Sequence, residues 1–79
     1  MMTFNDMLDQ GVDFQSEVRL CYYDYSQGDR VVANELADQR LYNILANQEV
    51  RYIYTDKEIG ESGEVVIYIE VSNPFTEEE

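Results

Sequence analysis

The chain has no histidine and no tryptophan, one cysteine, one proline and four glycines in 79 residues. Each scarcity excludes something. Without histidine the commonest general base is missing, and Ser-His and Cys-His nucleophile pairs cannot form. A single cysteine, Cys21, rules out an internal disulfide and suits a reducing compartment. No apolar run approaches the roughly 20 residues of a membrane-spanning helix. The N-terminus has neither the basic stretch nor the apolar run of a signal peptide, so the expected location is cytoplasmic. Basic residues are scarce as well: 5 Lys and Arg stand against 17 Asp and Glu, for a formal net charge of -12. Five cations scattered among carboxylates cannot build the basic patch that phosphate contacts require, so no direct nucleic-acid binding is expected.

What is present is acid, aromatics and pattern. Hydrophobic residues make up 44% of the chain and fall in periodic blocks, which argues against disorder. The length predicts one domain with a radius of gyration of about 12 Å. At that size a single core leaves only about 3–5 kcal/mol of net stability.

Local signals mark six elements. Thr3 is placed to cap a first helix, with Asp6 three positions on in a capping box and Gly11 just past the end. Gln15 to Tyr25 alternates as a strand, with Val18, Leu20 and Tyr22 on one face and Glu17, Arg19, Cys21 and Tyr23 on the other. Ser26-Gln27-Gly28-Asp29 reads as a turn into a short strand from Arg30 to Val32, making a hairpin. Asn34 is placed to cap a second helix running to about Asn47, with Leu36, Ala37, Leu41, Ile44 and Leu45 as its apolar stripe. A third strand, Glu49 to Thr55, sets Val50, Tyr52 and Tyr54 against Arg51 and Ile53. A fourth, Val65 to Val71, sets Val65, Ile67, Ile69 and Val71 against Val66, Tyr68 and Glu70.

The expected fold is therefore a single small α+β domain over residues 1–73, in the order α-β-β-α-β-β, followed by a flexible acidic tail over 74–79. Two hairpins predict an antiparallel sheet with two helices on one face, over Leu20, Tyr52 and Ile67. The opposite face would show Arg19, Tyr23, Ile53 and Tyr68 to water or to a partner.

Motifs that carry chemistry are absent. Cys21 sits mid-strand and reads as a small, partly buried apolar residue. The loop Asp56–Glu64 fails the calcium-loop spacing, since its third and sixth residues are Glu58 and Glu61. Phosphate-loop, dinucleotide and zinc patterns are missing, and the domain is too small for a glycosidase cleft. The expectation is no enzyme, no cofactor and no metal.

The acid is the remaining candidate. Duplex DNA carries one charge per about 1.7 Å of axis, so 17 carboxylates match about 30 Å of duplex. Spread evenly over about 5,000 Å², they would stand about 17 Å apart, beyond the screening length of about 8 Å. Charge mimicry therefore needs clustering. Two clusters are available in sequence: Asp24, Asp29, Glu35 and Asp38, and Asp56, Glu58, Glu61 and Glu64. Tyr23 and Tyr68, on the face away from the helices, are candidate aromatic anchors.

The segments Met2-Thr3-Phe4-Asn5-Asp6-Met7-Leu8-Asp9-Gln10-Gly11, Cys21-Tyr22-Tyr23-Asp24-Tyr25, Arg51-Tyr52-Ile53-Tyr54 and Ile67-Tyr68-Ile69-Glu70-Val71 resemble a group of small acidic bacteriophage and prophage proteins. That resemblance implies a phage-type accessory role, anti-CRISPR-like by analogy of class. The expectation is a non-enzymatic inhibitor. It would bind a basic nucleic-acid-handling host protein, with a CRISPR nuclease as the leading class, through acidic surface that imitates a nucleic acid. The alternative is a structural or regulatory phage accessory protein acting through homodimerisation or protein binding.

Overall fold

The structure, a computed structural model, describes residues 1–75. The last four positions of the expected 74–79 tail lie outside the described residues. Six elements follow in the order α1 (Phe4–Asp9), β1 (Val18–Asp24), β2 (Asp29–Ala33), α2 (Gln39–Ala46), β3 (Val50–Ile59) and β4 (Val65–Val71). The radius of gyration is 12.4 Å. Among the described residues, no helix is long and apolar enough to cross a membrane.

Helix α1 starts where the capping box predicts. The Thr3 hydroxyl accepts from the Asp6 amide at 3.0 Å, and the Asp6 carboxylate accepts from the Thr3 amide at 3.0 Å. Two donors that a helix N-terminus leaves unpaired are thereby satisfied. The first hairpin also forms as read. The Asp24 carboxylate accepts from the Ser26 amide at 3.0 Å and the Ser26 hydroxyl at 2.6 Å, while Gly28 takes φ +72 to close the turn.

The second helix is shorter than the stripe suggests. Asn34 does cap, accepting from the Leu36 and Ala37 amides at 2.9 and 3.1 Å. What it caps is a single turn that leaves Leu36 92% exposed. The helix begins only at Gln39, where Leu41, Leu45 and Ala46 can reach the core. A cap signal fixes a local turn, but burial decides whether the helix propagates from it.

The sheet order is β2-β1-β4-β3. Both hairpins are antiparallel, as predicted, but β1 and β4 pair in parallel, with Leu20 opposite Ile69. The expected antiparallel sheet is thus corrected to a mixed one. Helix α2 joins the hairpins as a crossover and returns the chain to the end of the sheet where β2 began. Strand β3 therefore runs parallel to β2, and β4, turning back, runs parallel to β1.

A second correction concerns β3. Val50 pairs with Val71 and Tyr52 with Glu70, so Arg51 is an extra residue in the strand. That bulge flips everything after it. Ile53 joins the helix-side face beside Ile69, while Tyr52 and Tyr54 move to the other face beside Glu70 and Tyr68. The helix-side core gathers Phe4, Leu20, Tyr22, Ala33, Leu45, Ala46, Ile69 and Val71, with Ile67 packed against it. Helix α2 lies over β1 and β2. Strand β3 is at the far edge, and Ile53 is left 51% exposed.

Past Thr55 the β3–β4 register shifts again, and Lys57 takes φ 57. A side chain in the left-handed region costs about 1 kcal/mol relative to glycine. Lys57→Gly is expected to raise stability by about 0.5–1 kcal/mol in urea denaturation followed by circular dichroism.

Candidate functional site

The face away from the helices has no layer over it, yet it is not open. Cys21 and Val66 are fully buried there, and Tyr68 is only 3% exposed. The cover comes from the sheet's own long side chains. The Arg30 guanidinium lies 4.2 Å from the centre of the Tyr68 ring. It donates to Asp56 at 2.8 Å and to the Tyr54 hydroxyl at 3.4 Å. The Tyr54 and Tyr68 rings stack at 5.8 Å. Tyr54 in turn donates to Glu70 at 2.8 Å, and Tyr68 donates to Glu58. Arg19 completes the chain, bonded to Glu58 at 2.6 Å and to Glu17 at 3.1 Å.

This network settles what several sequence candidates do. Tyr68 is not the exposed anchor its face suggested, because Arg30 covers its ring. Burial pushes the Tyr68 phenol up, helped by Glu58; burial pushes Tyr54 up as well. Asp56 and Glu58 do not stand free as half of an acidic loop; they are partners of Arg30 and Arg19. Burial also raises the Cys21 thiol, which keeps it protonated and unreactive at neutral pH. Tyr23 stays half-buried, edge-on to Tyr25 at 4.8 Å.

The first predicted acidic cluster is split between the two ends of the sheet. Asp24 and Asp29 face each other where β1 ends. Asp24 is committed to the hairpin turn, where the Ser26 hydroxyl and the turn amides hold its carboxyl below the usual range. Glu35 follows β2, whose last residue, Ala33, pairs with Leu20 near the start of β1. Asp38 is the N-cap residue of α2 and lines an open groove of about 510 Å³ with Leu41, Ile44 and Phe75.

A different grouping forms at the end where β1 and β4 begin. Glu17, Glu35 and Glu61 line one cleft of about 260 Å³, and Arg19 is the one basic side chain among its walls. Glu64 stands on the same loop, its carbonyl accepting from the Gly60 amide at 2.7 Å. Gly60 packs against Glu17: a Cβ there would lie 2.6 Å from a Glu17 carboxylate oxygen, so a side chain at this position would make the Glu17 carboxylate swing aside.

Alternation along the chain marks Glu17 only as a strand residue and does not show its place beside Glu35 and Glu61. A signal did exist: it immediately precedes β1, whose partner β4 is preceded by the acidic loop. Only the parallel pairing of those two strands reveals the meaning. Among the described residues, no three acidic or cysteine side chains are grouped closely enough to hold a metal ion. No family model, no curated protein and no solved structure matches this chain.

Proposed function

We propose that the chain is a non-enzymatic, phage-type inhibitor that binds a basic nucleic-acid-handling host protein in the host cytoplasm. A CRISPR nuclease is the leading class. The observation that carries this reading is the cleft where Glu17, Glu35 and Glu61 converge, flanked by Glu64. Carboxylates gathered on one cleft, with Arg19 offsetting Glu17 and leaving Glu35 and Glu61, present a local potential that a dispersed charge of -12 would not. Such a surface is repelled by nucleic acid and drawn to the groove that normally holds it. The aromatic side chains contribute differently from a simple anchor. Tyr54 and Tyr68 stiffen the sheet on which the acidic end is mounted.

The test is affinity capture of host proteins by the tagged chain from nuclease-treated bacterial lysate, with mass spectrometry of what is retained. The expected result is a nucleic-acid-handling protein held at about 50 mM salt and released by about 500 mM, where the screening length has fallen roughly threefold. Added duplex should displace it. Recovery of no such protein at low salt would sink the reading.

A further inference from the structure

We infer that the stretch Asp56-Lys57-Glu58 is a strap on the sheet face that no helix covers, held shut by two arginines and able to open while the strands beneath stay paired. The ladder joins Thr55 to Ile67 and Ile59 to Val65, so these three residues stand against the single Val66. A bulge of that kind takes its extra residues out of the ladder and re-aims their side chains. Lys57 adds strain, with φ 57 in the left-handed region. The ladder therefore does little to hold this stretch down.

Side chains hold it instead. Arg30 reaches from β2, at the opposite edge of the sheet, to Asp56 at 2.8 Å. Arg19 reaches from β1 to Glu58 at 2.6 Å, and the Tyr68 hydroxyl donates to the same residue. The face that these contacts close is a core: Val66 and Cys21 are fully buried and Tyr68 nearly so. The clamps themselves are not buried. The Asp56 side chain is 53% exposed, and those of Arg19, Arg30 and Glu58 are 30 to 35% exposed. Ion pairs so placed are individually weak and are screened by salt. Weak ties across a bulge, over a buried face, mark a unit that opens locally.

Strap and acidic loop are one run of chain, since Glu61 follows Glu58 by three positions. Release of the strap draws Glu61 away from Glu17 and Glu35 and dismantles the cleft that the three line. Arg30 and Arg19 are thus positioning residues for the acidic end. That consequence for binding rests on the function proposed above; the strap itself does not.

Cys21, the one thiol in the chain, reports the opening. The full chain is alkylated with iodoacetamide, which is uncharged, and each rate is divided by that of the unfolded chain at the same salt and pH. The expected rate is flat in urea below about 1 M, because a local opening exposes little surface. It should rise about fivefold between about 50 mM and about 500 mM salt. Asp56→Asn with Glu58→Gln removes both clamps and keeps the side-chain shapes; it should react about tenfold faster at low salt and lose the salt response. Asp9→Asn with Glu49→Gln removes the same charge from exposed sites away from the clamps and should behave as wild type. A rate that rises with urea as steeply as the global circular-dichroism transition overturns the proposal, since the face then opens only by unfolding. So does a wild-type rate indifferent to salt, or a clamp variant that keeps the wild-type rate. No host protein enters the assay, so its outcome is independent of the capture experiment.

Discussion

Tyr68→Ala is expected to unfold the domain, although Tyr68 lies on the face that no helix covers. Removing a buried aromatic ring costs about 3–5 kcal/mol, and a chain this small holds a net stability of about the same size. The loss does not end with the ring. Arg30 sits 4.2 Å over it and would be left above a void, and Glu58 would lose the hydroxyl that it accepts from. The expected observation is the absence of a cooperative urea transition by circular dichroism at 25 °C. Tyr68→Phe is the informative companion. It keeps the ring and its contact with Arg30 and gives up one hydrogen bond, for about 1 kcal/mol. A cost for Tyr68→Ala within the roughly 0.5 kcal/mol of an ordinary surface substitution would show that this face is not a core.

The same phenols set the behaviour in alkali. Burial holds Tyr54 and Tyr68 above the ordinary tyrosine range in the folded chain. As pH rises past about 10, the unfolded chain releases these protons while the folded chain retains them. Stability therefore falls with rising pH in that range, and Tyr68→Phe should make the fall shallower.

The second large effect is on binding. Reversing Glu35 and Glu61 together to lysine changes two walls of the acidic cleft. Both side chains are exposed, so folding should be unaffected. Association with the captured host protein is expected to slow by about 10- to 100-fold at low salt, and the salt dependence should flatten. The control is Asp29→Lys with Glu49→Lys. These residues are also exposed, carry the same total charge and lie at the opposite end of the sheet. If both pairs of reversals weaken binding equally, only net charge matters and the cleft has no special part. Asp56 and Glu58 are unsuited to this test, because their reversal would set lysines against Arg30 and Arg19.

Local reading of the chain went far. The Thr3–Asp6 capping box, the turn through Ser26-Gln27-Gly28 and the alternation of Val65 to Val71 are each written within a few residues, and each forms, the turn one residue earlier than Ser26–Asp29 because Asp29 already pairs with Asp24. These features rest on short-range sterics and hydrogen bonds, which the immediate neighbours supply. Strand β3 shows where that logic stops. Alternation through Arg51, Tyr52 and Ile53 assumes an unbroken ladder. The one-residue bulge depends on how β4 aligns beside it, and no window of sequence contains both strands. Helix α2 shows the same limit, since Asn34 caps correctly and yet the helix waits for residues that reach the core.

The acid divides along the same line. By itself the sequence determined how much charge the protein carries, how little could neutralise it, and that its elements are two helices and two hairpins. Only the tertiary structure decided which carboxylates are spent internally and which converge. The parallel pairing of β1 with β4 brings Glu17, itself bonded to Arg19, beside the loop of Glu61. The flip in β3 hands Asp56 and Glu58 to arginines instead. The physical reason is range. Caps and turns are settled over three or four residues, whereas the grouping of charges follows strand order and register, which are fixed by burying apolar surface across the whole chain.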